Sequence, residues 1–218
     1  STIDTANVVV VGADPDMPVP HLPTPFFYDG YLLLVKANTA DCYNSDLNDP
    51  LVYTAGNFIS AEMRADYITA IVTMNNYFLL LGDRSIEYFW DAGNATGSPF
   101  QRNDTPVKLS GYVGGLAQFG NKVYLVAEEV EGQPNVFVLE DFKLTPIGNE
   151  AVRRALASVS PSVITGNVVS IDGNDIYVLN MGSQTYFMVI ESKLWGLLTY
   201  AQQTYFPMNQ GFTINNGN

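Results

Sequence analysis

The sequence predicts an all-β fold, and three observations carry that prediction. Of the 218 residues 47% are apolar and only 15% charged, so a substantial core is available and disorder is disfavoured. Tyr, Phe, Asn, Gly and Thr take up much of what charged residues leave, a mix suited to strands joined by tight turns rather than to helical bundles. Finally, a turn bearing Asp, Asn or Gly followed by a short apolar strand recurs four times along the chain.

The four copies read "YDGYLLLV" (28–35), "MNNYFLLLG" (74–82), "FGNKVYLVAE" (119–128) and "DGNDIYVLNM" (172–181). Their first strand residues are Tyr31, Tyr77, Val123 and Ile176, with spacings of 46, 46 and 53. A fixed period of this size marks a repeat architecture. Further strands surround each copy. An apolar one precedes it at "YITAIVTM" (67–74), "GGLAQF" (114–119) and "GNVVSI" (166–171), with "FISAEM" (58–63) a weaker instance. A second hairpin strand follows at "DCYN" (41–44), "SIEYFW" (85–90), "NVFVLE" (135–140) and "TYFMVIE" (185–191). A fourth strand is indicated by "PLVYT" (50–54), "KLTPIG" (143–148) and "LWGLLTY" (194–200).

Four short antiparallel strands in a period of about 40–50 residues describe the blade of a β-propeller. A helical solenoid would need i, i+3, i+4 apolar spacing, which these segments lack. Only "NEAVRRALASV" (149–159) reads as helix, with Asn149 as N-cap, Glu150 in the first turn, Val152, Leu156 and Val159 on one face, and Pro161 as the stop. Segment 12–27 carries five prolines and reads as an extended connector. With a strand at "NVVVV" (7–11), four periods and a C-terminal remainder, the expectation is a single β-propeller domain over 1–218, of four to six blades. The opening reads like the inside of a domain, so the chain is expected to be a fragment of a longer polypeptide.

The net charge of −12, with ten Lys and Arg in all, argues against a protein that grips nucleic acid, because that requires clustered cations on phosphates. A protein that must avoid gripping DNA remains compatible with an acidic wall. The single cysteine, Cys42, rules out an internal disulfide framework and fits maturation in a reducing cytosol. No apolar run reaches the length needed to span a bilayer, and no signal peptide opens the chain.

The chemical signals are few. Glu87 lies among Ile86, Tyr88, Phe89 and Trp90, and a carboxylate in such a setting could have the raised pKa of a general acid. A glycosidase would need a second carboxylate close by, and no residue is nominated for it. The preferred reading is a structural acid bonded to backbone N–H groups or paired with Arg64 or Arg84. His21, the only histidine, sits in the proline-rich connector, where any Ser-His-Asp device or His-containing zinc site would have to use it. "VVVVGADPD" lacks the later glycines and the helix of a dinucleotide site. The acids of "GNDIYVLN" and "DPDMP" lack calcium-loop spacing. Phe26, Phe27, Tyr28, Tyr88, Phe89 and Trp90 could form a sugar-binding platform, but strand-rich domains more often use such residues in cores. No catalytic, cofactor-binding or metal-binding residue is therefore assigned, and no cofactor is expected.

One combination points further. "YDGYLLLV", "DYITAIVTMNNYFLLLGDRSIEYFWDAGNATGSPFQR", "GGLAQFGNKVYLVAEE" and "LTPIGNEAVRRAL" follow one another in order over about residues 26–200. The most telling part is F-x-x-x-G-x-x-S-I-E-Y-F at 78–89, followed by a glycine-containing loop and "PFQR" (99–102). This arrangement resembles the packaged-DNA stabilisation proteins of short-tailed bacteriophages, also called tail hub or nozzle proteins. The resemblance implies a non-enzymatic virion subunit of the phage tail, made in the host bacterial cytoplasm and assembling into a ring, a hexamer by family likeness. It would adjoin the portal and head-completion adaptor and other tail proteins, close the capsid exit, and let double-stranded DNA pass without specific binding. Loop 91–106 would face neighbours. The alternative is a propeller module that binds or hydrolyses a glycan, or recognises a receptor at the tail.

Overall fold

The computed structural model describes residues 14–199 apart from 65, 109 and 129–131, with backbone alone at 105–107. The strand expected at 7–11 lies outside the described residues. The chain divides into two compact units, Ser1–Val107 and Lys108–Asn218.

In the first unit, β1 (Phe26–Tyr28), β2 (Tyr31–Val35), β3 (Asp41–Asp46) and β4 (Asp49–Ser60) form one sheet in chain order. A second sheet holds β5 (Ile68–Met74), β6 (Tyr77–Gly82), β7 (Ile86–Asp91) and β8 (Phe100–Lys108), again in chain order. The first hairpin turns at Asp29-Gly30, both with positive φ (48° and 87°), the geometry that matches the twist of the strands it joins. Strand β6 reads as an unbroken apolar run because both of its faces are covered. Phe78, Leu79, Leu80 and Leu81 are all buried, so the alternation of a half-exposed strand is lost. On one face, Phe78 and Leu80 join Leu33, Val35, Cys42, Ile71, Phe89 and Phe100 in a core shared by the two sheets.

Three sequence expectations need correction here. The stretches at 50–54 and 58–63 are not separate strands of two repeats: β4 runs through both as far as Ser60. The pairs Tyr43↔Phe58, Ser45↔Tyr53 and Asp46↔Asp49 show how, since β4 spends five residues against two of β3 and then four against one. Such bulges bend an edge strand without ending it. The proline-rich segment ends earlier than expected, because Phe26 and Phe27 already belong to β1. Its preceding part is tied alongside β2: the Leu22 N–H donates to Val35 O, and His21 bridges Lys36. Loop 91–106 is also shorter, since β8 begins at Phe100.

In the second unit, β9 (Gly111–Phe119), β10 (Lys122–Glu128), β11 (Pro134–Glu140) and β12 (Lys143–Pro146) form a third sheet. A fourth consists of β13 (Ile164–Ile171), β14 (Asn174–Met181), β15 (Thr185–Val189) and β16 (Leu194–Leu198). Their common core includes Tyr124, Val126, Val136, Ile164, Tyr177, Leu179 and Met188. Strands β9 and β13 approach backbone to backbone, because a Cβ at Gly166 would collide with the Gly115 carbonyl. The Tyr177 hydroxyl donates to that same oxygen at 2.6 Å, which fixes the approach.

Helix α1 (Glu150–Leu156) lies between these sheets in sequence. Asn149 caps it as expected, its side-chain oxygen accepting from the Val152 N–H at 2.9 Å. Val152 and Leu156 are buried in the core, and Val159 packs against it. The helix ends three residues earlier than the sequence suggested; Pro161 instead opens a 3-10 turn, Pro161–Val163. The described residues thus form four four-stranded antiparallel sheets and one short α-helix, the all-β architecture that the repeat predicts. No described helix is long and apolar enough to cross a membrane.

Candidate functional site

Two features along β7 gather polar chemistry: a closed carboxylate network and an open cleft. Glu87 is 0% exposed. Its Oε1 accepts from the Met63 N–H at 3.0 Å and lies 3.4 Å from Ser85 Oγ, while Arg102 Nη1 stands 3.3 Å from Oε2. Asp66, also buried, accepts through Oδ2 from the Arg84 N–H at 2.9 Å and from Ser85 Oγ at 3.0 Å. Ser85 has one hydroxyl proton for two carboxylates, and the shorter contact gives it to Asp66. Gly82 makes room for this arrangement, since a Cβ there would run into the Asp66 carboxylate.

Burial raises the Glu87 pKa above the ordinary carboxylate range, and the neighbouring Asp66 adds to the effect. The Met63 N–H and Arg102 oppose it without cancelling it. The cation that meets Glu87 is neither Arg64 nor Arg84, the two expected from the sequence. Arg84 offers only its backbone N–H, to Asp66. Arg102 comes instead from β8, the strand beside β7 in the sheet, and its Nε also contacts Asp104 at 2.6 Å. Asp66 is the nearby second carboxylate that sequence reasoning did not nominate. Both acids are buried and each is held by protein donors, Glu87 by the Met63 N–H and Arg102, and Asp66 by the Arg84 N–H and Ser85, so the pair has the form of a polar tie.

The cleft measures about 460 Å³ and is lined by Tyr28, Asp29, Asn75, Asn76, Trp90 and Asp91. Its frame is the β1–β2 turn, the β5–β6 turn and the end of β7. The Tyr28 hydroxyl donates to Asn76 O at 2.6 Å, joining the two turns, and its ring packs 5.0 Å from that of Phe78. The phenols of Tyr28 and Tyr31 are held above their usual pKa, first by burial and then by the carboxylates of Asp29 and Asp91. The field in the cleft is therefore negative.

The remaining candidates are dispersed. His21 donates from Nδ1 to Leu22 O at 2.8 Å. Cys42 is buried, and burial pushes its thiol pKa far up, the opposite of what a nucleophile requires. Asp14 of "DPDMP" accepts from the N–H groups of Asp16 and Tyr53. Among the aromatics proposed as a platform, Tyr88 and Phe89 are buried, Phe26 packs against the core, and Phe27 is exposed; only Tyr28 and Trp90 line the cleft. The signal for Asp29, Asn75 and Asn76 was present in the turn motifs "YDG" and "MNN", where it registered as turn chemistry alone, while Asp91 follows the strand "SIEYFW". Among the described residues, no group of three or more His, Cys, Asp or Glu side chains is placed to hold a metal ion.

Comparison with known families decides the kinship. The model of a phage stabilisation family, described as "Bacteriophage P22 Gp10, beta-propeller", matches residues 15–211. The chain belongs to this family. It is accordingly a bacteriophage structural protein of the β-propeller type, and its four-stranded sheets are the blades. No curated protein sequence matches the chain significantly. The family match takes in the carboxylate network, the cleft and α1, so none of these is an appendage outside the family's span.

Proposed function

We infer that the chain is a ring-forming hub or nozzle subunit of a phage tail, one that closes the portal exit, retains packaged DNA and later forms the conduit for its ejection. The observation that carries this reading is the family match over residues 15–211. Two physical features support it. The net charge of −12 suits a wall past which DNA must slide without sticking. The last strands of the first and fourth sheets also leave apolar side chains in water, Leu51, Val52 and Phe58 on β4 and Leu194 and Leu197 on β16. Apolar edge residues of this kind are what neighbouring subunits cover.

In this reading the chain forms a single propeller domain, acts mechanically and carries no catalytic residue or cofactor. Its contacts are with copies of itself, in a hexamer by family likeness, and with the head-completion adaptor and other tail proteins of the virion. The test is native mass spectrometry and negative-stain microscopy of the protein mixed with its neighbouring head-completion protein. A closed ring of like subunits is the expected result. A monomer at virion-like local concentration, with that partner present, would sink the proposal.

A further inference from the structure

The cleft between the Asp29-Gly30 and Asn75-Asn76 turns takes no part in the carboxylate network and touches the blade core only through Tyr28, and we propose that it binds a neutral glycan. Its volume of about 460 Å³ falls within the few hundred to a thousand Å³ of small-molecule sites, enough for one or two sugar rings. The first argument is Trp90. Its neighbours Tyr88 and Phe89 are 0% and 2% exposed, whereas Trp90 keeps 41% of its surface in water at the cleft. An indole held there offers an apolar face to the C–H side of a pyranose and a polar N–H at its rim.

The second argument is the hydrogen-bonding inventory. Asp29, Asn75 and Asn76 are exposed, and their side chains make no hydrogen bond to other described residues. The carboxamides supply donors and acceptors, and the carboxylate supplies acceptors only. Sugar hydroxyls, each both donor and acceptor, match such a set. Asp91 is partly engaged already, one oxygen accepting from the Gly93 N–H at 2.7 Å.

The third argument is rigidity. Asp29, Gly30 and Asn75 hold left-handed backbone conformations (φ 48°, 87° and 55°), and the Tyr28 hydroxyl locks one turn to the other. A wall fixed in advance loses little entropy on binding. Charge then selects the class of sugar. Two carboxylates and no Lys or Arg line the cleft, so an anionic polysaccharide is repelled. The inference is independent of ring formation, and either can fail without the other.

The test is tryptophan emission of the chain titrated with neutral trisaccharides of glucose, galactose and N-acetylglucosamine, with sialyllactose and a tri-arginine peptide as charged counterparts. Trp195 is the other tryptophan, half-buried with its Nε1 donating to Ile147 O, so Trp195→Phe leaves Trp90 as sole reporter. A saturable blue shift with at least one neutral sugar and none with sialyllactose is expected. Trp90→Ala, read by calorimetry, should weaken binding at least about tenfold, and Asn76→Ala several-fold. Asp29→Asn keeps a residue suited to the turn and should also weaken binding several-fold, which covers the case in which Trp90→Ala misfolds. The proposal is overturned if no neutral sugar gives a saturable response, or if binding is indifferent to these substitutions. It is equally overturned if the tri-arginine peptide binds more tightly than every neutral sugar, which would make the cleft a cation site.

Discussion

Arg102 holds Glu87 from the adjacent strand: its Nη1 stands 3.3 Å from Glu87 Oε2, while its Nε keeps Asp104 at 2.6 Å. The contact joins a fully buried acid to a base that is 27% exposed, so solvent reaches one partner and not the other. Breaking such a tie costs more from the buried side than from the wet side.

Glu87→Gln therefore destabilises the fold by about 1–3 kcal/mol in urea unfolding at neutral pH. The carboxylate is met by donors from Met63 and Arg102, and the amide nitrogen of Gln would face one of them. Arg102→Ala is expected to cost less, since Asp104 is solvent-exposed and Glu87 keeps the Met63 N–H. In a double-mutant cycle the two substitutions should be non-additive.

The pH dependence has a definite sign. The folded-state pKa of Glu87 is raised by burial, so the native state holds the proton more tightly than the unfolded chain. Its contribution to stability is then fully present below the ordinary carboxylate pKa and is lost as pH rises through the higher folded value. Measured against the parent, the cost of Glu87→Gln should be larger in acid than at neutral pH. A cost that shrinks on acidification would contradict the raised pKa.

Gly166→Ala should destabilise the second unit by about 2–4 kcal/mol, because the added methyl collides with the backbone carbonyl of Gly115 and not with a flexible side chain. Tyr177→Phe, which removes the 2.6 Å hydrogen bond to that carbonyl, should cost about 1–2 kcal/mol. Denaturant midpoints of the two variants decide the matter.

Asn149→Ala removes the cap of α1 and should cost about 0.5–2 kcal/mol, whereas Asn149→Asp should be nearly neutral. Because Val152 and Leu156 are core residues, the loss should appear as a shift of the global unfolding transition and not as local fraying.

Cys42 is 1% exposed and its thiol is held protonated by burial. A thiol-specific reagent should leave the native protein unmodified and react at the rate of unfolding. Fast modification of the folded chain would mean that the first sheet opens locally.

What the sequence showed most clearly was whatever repeats. The shared hairpin was legible in all four sheets because a turn rich in Asp, Asn or Gly followed by an unbroken apolar run is a local signal. The helix was legible through Asn149 and its apolar spacing. Strand β8 was not: "FQRNDTPVK" is polar and contains a proline, and a blade's last strand is held by its ladder partner more than by its own propensity. For the same reason Arg102 was missed as the partner of Glu87. Its nearness arises from the pairing of β7 with β8, which no local pattern in the sequence announces. The cleft was invisible because its six lining residues come from three segments that only the stacking of two sheets brings together.

The longest of the three periods is the one that contains α1, in the connection between β12 and β13. A blade-to-blade connection lies outside every ladder, so length can be added there without shifting a single strand register. Once its apolar side had settled on the core, the insertion ceased to be dispensable. Deleting it would take Val152 and Leu156 out of the core they share with Val136 and Val138 and turn a tolerated lengthening into an aggregation hazard.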